Sequence, residues 1–231
     1  MKTTTAHVKR LYGDTLPPAY DDRPSLARRM IRAVRMLTGN ALHDFDSMAI
    51  QAIGAAGLER GERVLVFCCG TGREFPTLLE AVGPEGCLVG VDFSAAMLAR
   101  ARQTVQRERW TNVTLLEGDV TAFDPAGQPP FDVGVCLLGL SIIPDWELAY
   151  GNLLASVRPG GRLIIGDLQL ATGWRAILNP LVAWWTRPYG GSRQGHANAR
   201  ALFRRMEQEL ELVASGTFGH ETCRACVARK P

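Results

Sequence analysis

The chain lacks a dominant charge, with 26 Lys and Arg against 23 Asp and Glu and a net charge of only +3. That balance is too even to argue for a nucleic-acid partner, and none is expected. Its start, "MKTTTAHVKRLYG", has no apolar core of a secretory signal, and no run approaches the ~18 consecutive apolar residues of a membrane span. A cytoplasmic protein is expected. Six cysteines, at 68, 69, 87, 136, 223 and 226, sit mostly inside apolar runs and fit reduced core thiols rather than a disulfide framework. Cys223 and Cys226 have zinc-like spacing, but no second CxxC or His pair completes a ligand set, so no metal is expected. In a strand, moreover, a separation of three sends the two thiols to opposite faces.

What is present is 231 residues at 46% hydrophobic content, enough to bury one substantial core in a single domain. Short apolar runs recur: "RVLVFC" at 63–68, "CLVGVD" at 87–92, "VTLLEG" at 113–118, "FDVGVCLL" at 131–138 and "GRLIIGD" at 161–167. Each reads as a strand buried on both faces. Between them "EFPTLLEAV", "AAMLARARQTVQRE" and "DWELAYGNLLASV" carry helical apolar spacing. The alternation predicts parallel strands joined by right-handed crossovers, hence a doubly wound α/β sheet. Such sheets bind ligands beyond the carboxyl ends of their strands, so function is expected there.

The first strand runs into "CCGTG", where Gly70 and Gly72 permit a tight turn and close approach of a ligand to backbone, and the next helix offers free N–H groups. A lone GxG is weak evidence. Twenty residues after Gly72 the second strand ends in Asp92, where a carboxylate accepts from ribose hydroxyls, and the third ends in "EGD", bringing Asp119 to the same rim. One glycine turn and two strand-end carboxylates together point to a nucleoside-like cofactor.

With these residues in place, the stretch 60–170 resembles the class I S-adenosylmethionine-dependent methyltransferases. The family pattern "VLDLGCGTG" corresponds to "VLVFCCGTG"; "VGVDFSAAMLARAR", "LLEGDV" and "RPGGRLIIGD" are similar to its ribose, adenine and late-strand elements. The resemblance implies a seven-stranded, mostly parallel Rossmann-like sheet with "LELVAS" and "ETCRACVARK" as the last, antiparallel strands. It implies S-adenosylmethionine as cofactor, with Asp92 on the ribose, Phe93 and Met97 flanking the adenine, Asp119 accepting from the adenine amine beside Val120, and Cys69, Gly70, Thr71 and Gly72 bordering the methionine portion. Leu137 and Leu138 would lie under the sulfonium. The chain also departs from the pattern. Val66 replaces the family's acidic residue, removing one contact to the cofactor's ammonium at a cost of ~1–3 kcal/mol. Cys68 replaces a glycine and narrows the space above the turn.

No catalytic motif is readable. An amine acceptor needs only to be deprotonated, whereas a phenol or carbon acid is helped by a base; Asp167, His196 and Tyr20 are candidates, with His43 and His220 behind them. Asp167 could equally cap a helix. Two regions bear on the acceptor. In "RPSLARRMIRAVRML" the residues Leu26, Met30, Val34 and Leu37 form a stripe with Arg28, Arg29, Arg32 and Arg35 largely off it, which suits either a lid helix or an anionic membrane surface. "GWRAILNPLVAWWTRPYGG" sets Trp174, Trp184, Trp185 and Tyr189 beside Arg175 and Arg187, fitting a substrate lid or an interface.

The segment "LGLSIIPDWELAYGN" is similar to the N-methyltransferases of lipid head groups, and less closely to the ubiquinone and menaquinone methyltransferases. By the same resemblance Tyr12 and Tyr20, in "LYGDTLPPAYDD", would cover the cofactor. The expected organisation is a helical lid over 1–45 and a methyltransferase domain over 46–231, with a lid insertion at about 172–195. The expected activity is methylation of a hydrophobic small molecule or lipid head group, at nitrogen rather than oxygen or carbon, with peripheral membrane contact. A soluble quinone-like or secondary-metabolite acceptor, or an inactive binding protein, stands as the alternative.

Overall fold

The computed structural model describes residues 45–170, 176–177, 179–180, 192–218 and 223–231. In chain order these form α1 (Phe45–Ala56), β1 (Arg63–Phe67), α2 (Phe75–Val82), β2 (Cys87–Asp92), α3 (Ala95–Arg107), β3 (Val113–Glu117), β4 (Phe131–Leu137), α4 (Trp146–Ser156), β5 (Val157–Leu168), α5 (Arg193–Glu209), β6 (Glu211–Phe218) and β7 (Cys223–Arg229). The strands make one sheet in the order β3-β2-β1-β4-β5-β7-β6.

The period of two decides how this sheet is covered. Leu65 and Phe67 of β1, Val89 and Val91 of β2, and Leu163 and Ile165 of β5 enter one apolar cluster; Val64, Val66, Leu88 and Ile164 enter the other. Both faces are therefore dry. Trp146, Tyr150 and Leu153 of α4, with Ala199, Leu202, Phe203 and Met206 of α5, recur at helical spacing and cover the first face. Met48, Ala52 and Ile53 of α1 and Phe75, Leu78 and Val82 of α2, with Leu98 of α3, cover the second. The result is a three-layer α/β/α domain in which the order of strand addition reverses between the parallel strands β1 and β4, the place where loops diverge and a crevice opens.

Two features refine the expectations. β7 pairs antiparallel with both β5 and β6, so among the described strands β7 alone is reversed, and β6 runs with the rest. "RPGG" is part of β5: pairing with β4 jumps from Phe131↔Val157 to Val133↔Arg162, and at this bulge Gly160, at φ +72, donates its N–H to Lys230 O while Lys230 N–H donates to Gly161 O. Cys223 packs against one cluster and Cys226 enters the other, the opposite-face geometry expected for that pair. Among the described residues no helix is long and apolar enough to cross a membrane.

Candidate active site

β1 delivers the chain to the crevice, and the turn after it is held from both sides. Cys69 N–H donates to Val91 O at 3.1 Å and Gly72 N–H to Cys69 O at 2.8 Å, which fixes the bend. Gly70 and Gly72 take φ +52 and +76, values that L side chains adopt only under strain. A Cβ on Gly72 would lie 2.6 Å from the Phe75 ring, so that glycine serves helix packing; one on Gly70 would meet nothing within 4 Å, so that glycine faces open space. The backbone is bare where a ligand would approach.

Asp92, at the end of β2, is 7% exposed and ties this turn to the next helix. Its Oδ2 accepts from Gly70 N–H at 2.8 Å and its Oδ1 from Ser94 N–H at 2.9 Å, while Ser94 Oγ caps α3 by accepting from Met97 N–H at 3.2 Å. Burial raises the Asp92 pKa, against the lowering effect of the Ser94, Gly70 and Phe93 amides. Each carboxylate oxygen has two acceptor positions, so a ribose diol fits beside the two amides. Phe93 is half-buried and Met97 buried at the same junction. Gly118 N–H donates to Asp92 O at 3.0 Å, bringing the ends of β2 and β3 together. There Asp119 caps a short 3₁₀ turn over Val120–Ala122, its Oδ1 accepting from Thr121 N–H and Oγ–H at 3.0 and 2.7 Å.

Across the crevice, β4 ends in Leu137, and Leu138 after it turns at φ +59 and donates its N–H to Gly166 O at 2.7 Å. Leu137 and Leu138 line one pocket together with Cys68, Cys69, Gly70, Thr71, Arg73 and Glu74. The donors, the carboxylates and the apolar walls around this crevice suit a nucleoside-like cofactor such as S-adenosylmethionine.

The catalytic candidates divide. Asp167 is 2% exposed and accepts three bonds, from Ser141 Oγ–H at 2.6 Å, Ser141 N–H at 2.8 Å and Leu168 N–H at 2.7 Å. Burial pushes its pKa up to about 6 even so. It clamps the segment after β4 to β5. His196, near the start of α5, is equally buried; its Nδ1 lies 3.4 Å from Leu168 O, and Nε2 has no hydrogen-bond partner among the described residues. Burial lowers its pKa, with Arg200 adding to the effect. Tyr12, Tyr20, His43, Trp174, Trp184, Trp185, Tyr189 and His220, with the basic stripe at 26–37, lie outside the described residues.

Sequence reading missed a second cleft, lined by Ser141, Ile142, Pro144, Ser192, Gln194, Gly195 and Asn198. It begins three residues past Leu138, and Asn198 Nδ2 donates to Ser141 O at 3.3 Å to hold α5 against it. It also missed Glu74, a buried carboxylate on the wall of the pocket beside the glycine turn. The available signal was "GREF", an acid directly after a turn whose own strand has none.

Comparison with known proteins agrees with this geometry. A family model described as a methyltransferase domain matches residues 64–161. The chain is 35% identical over 107 residues to the demethylmenaquinone methyltransferase of Shouchella clausii, covering 46% of this chain and 45% of that protein. It is 32% identical over 124 residues to the protein of the same name from Listeria welshimeri, covering 53% and 52%. The chain thus spans about half the length of the curated relatives it matches. Among solved structures, an S-adenosylmethionine-dependent methyltransferase from Aquifex aeolicus superposes with a TM-score of 0.62 at 17% identity, over 91% of this chain and 100% of that one, a likeness of fold. The sequence likeness falls on the very strands and turns that build the crevice, so residues 64–161 are similar to a methyltransferase domain and the fold around them is that of a solved S-adenosylmethionine-dependent methyltransferase.

Proposed function

We propose that the chain methylates a hydrophobic small molecule seated against the 140–144 segment and the start of α5, with the cofactor held by Cys69–Gly72, Asp92, Phe93, Met97, Asp119, Val120, Leu137 and Leu138. The observation that carries this reading is the second cleft. Its lining is apolar and neutral-polar, Ile142 and Pro144 beside Ser141, Gln194 and Asn198, and it opens just past the strand that ends in the cofactor pocket. When bound, S-adenosylmethionine supplies an already activated methyl group, so the protein's contribution is chiefly alignment of acceptor and methyl and exclusion of water.

Nitrogen is the preferred acceptor atom in this reading. Among the described residues the cleft is lined by no ionisable side chain, and Asp167 behind it is committed to Ser141 and Leu168. An amine that arrives deprotonated needs no base; a lipid head group presented by a membrane surface is one such acceptor. A quinone-like carbon acid is the second reading, supported by the curated relatives named demethylmenaquinone methyltransferase. The lid functions of Tyr12, Tyr20 and the Trp174–Tyr189 segment belong to the same proposal, as does peripheral attachment to a membrane.

The test supplies methyl-labelled cofactor with aminolipid vesicles, with a demethylated quinone, and with the water-soluble fraction of a cell extract. Label in aminolipid supports the first reading and label in quinone the second; label confined to water-soluble product would overturn a hydrophobic acceptor.

A further inference from the structure

S-adenosylmethionine ends in an amino acid whose ammonium needs a negative partner. The strand that supplies one in the resembling family has Val66, which is fully buried, sits between Gly90 and Val135 in register, and packs into the second apolar cluster. No carboxylate could replace it there without entering the core.

Eight residues later, Glu74 stands on the wall of the cofactor pocket with Cys69, Gly70, Thr71, Leu137 and Leu138, and is 7% exposed. It holds the N-cap position of α2, yet its side chain makes no capping bond, so its charge is not spent on the free amides of the helix. Its own backbone N–H bonds its carboxylate and the adjacent Arg73 charge acts on it, yet burial outweighs both. Burying a carboxylate whose neighbours only partly offset its charge is costly, and a bound cation offsets the remainder. We propose that Glu74 binds the ammonium of the cofactor's methionine portion and takes over the role vacated at Val66. This rests on the assignment of the pocket to S-adenosylmethionine.

The groups facing Glu74 set its response to pH. Burial, as the largest effect, pushes its pKa up to about 7; the Arg73 charge lowers it and the Asp92 charge raises it, while the Cys69 thiol beside them is held well above its ordinary value and stays neutral. Ammonium binding favours the ionised carboxylate, so affinity should rise as pH climbs through about 7, with a proton released on binding at lower pH.

The test is calorimetry on the full chain with two probes that share a nucleoside: S-adenosylhomocysteine, which carries the ammonium, and 5′-methylthioadenosine, which lacks the amino-acid group. Glu74→Gln should weaken S-adenosylhomocysteine roughly ten- to a hundredfold, leave 5′-methylthioadenosine unchanged, and abolish the rise in affinity between pH 6 and 8. Retained binding of 5′-methylthioadenosine shows that the variant is folded. Unchanged S-adenosylhomocysteine affinity, or equal weakening of both probes, would overturn the role of Glu74; failure of both probes to bind the unaltered protein would overturn the cofactor pocket itself.

Discussion

At the scale of single residues, Cys68 shows how a departure from the family pattern is accommodated. It sits at φ +54, a left-handed conformation that costs a residue with a Cβ about 1–2 kcal/mol relative to its normal backbone. The thiol is received by a glycine across the sheet: a Cβ on Gly139 would lie 2.5 Å from Cys68 Cβ, 2.8 Å from its Sγ and 3.0 Å from Cys136 Sγ. A hydrogen bond to Cys136, with burial behind it, holds the Cys68 thiol well above its ordinary pKa, so it packs as a neutral group. Gly139→Ala should therefore destabilise the fold by about 1–3 kcal/mol through overpacking, and Cys68→Gly in the same chain should recover much of that loss. Urea denaturation of the two single variants and the double variant checks this; additive effects would show that the residues do not share the space. Asp92 makes a second residue-scale case, since its Oδ2 holds the Gly70 amide in the cofactor turn. Asp92→Ala should lower cofactor affinity sharply by calorimetry, and unchanged affinity would remove Asp92 from the site. Val66, Cys68 and Asp92 are all legible in the sequence, but Gly139 and Glu74 are not legible as their counterparts, because compensation acts across strands and turns that only the fold brings together.

At the scale of elements, the second cleft is held by a clamp between β5 and the segment after β4. Asp167 receives both donors of Ser141, and α5 reaches Ser141 O through Asn198, so three elements converge on one serine. Ser141→Ala removes the hydroxyl bond to a buried carboxylate while leaving the backbone bond in place. It should cost about 1–3 kcal/mol in stability, and, if the second cleft takes the acceptor, raise the acceptor KM while cofactor affinity stays unchanged. Kinetics with varied acceptor and calorimetry with S-adenosylhomocysteine separate the two; a parallel loss of both would show a general loosening of the crevice. Strand positions were readable because strands buried on both faces leave continuous apolar runs such as "RVLVF" and "CLVGVD". The start of β5 was not, since "RPGG" reads as a turn by its residues and is drawn into the sheet by Lys230, 70 residues past Gly160. Likewise Asp167 was readable as a strand-end carboxylate, but its commitment to Ser141 required the register of β4 against β5.

At the scale of the whole molecule, the alternation of strands and helices carried the three-layer architecture and the crevice between β1 and β4, because parallel strands leave few other arrangements. The second cleft stayed invisible because Ser141 and Asn198, which meet in it, are 57 residues apart. Placing the site there also gathers buried carboxylates into one region, with consequences for stability. Glu74 has its pKa pushed from 4.5 to about 7, Asp167 from 3.8 to about 6, and Asp92 is raised as well, burial being the largest cause each time. A carboxyl raised in the folded state binds its proton more tightly there than in the unfolded chain, so its contribution is fully present below the unfolded pKa and is lost as pH rises through the folded one. His196 acts oppositely, since its lowered pKa costs stability as pH falls below its ordinary 6.5. The difference between the unaltered chain and Glu74→Gln isolates one group from this background. Without ligand the two should be similar at pH 5, where Glu74 is protonated, and the variant should become the more stable by on the order of 1–3 kcal/mol at pH 8. Saturating S-adenosylhomocysteine should narrow or reverse that advantage at pH 8, because the ligand's ammonium meets the charge that burial left uncompensated. Thermal melts of both proteins at pH 5, 6, 7 and 8, with and without ligand, check each step; a variant no more stable than the parent at pH 8 would mean that the Glu74 carboxylate is not held at a cost.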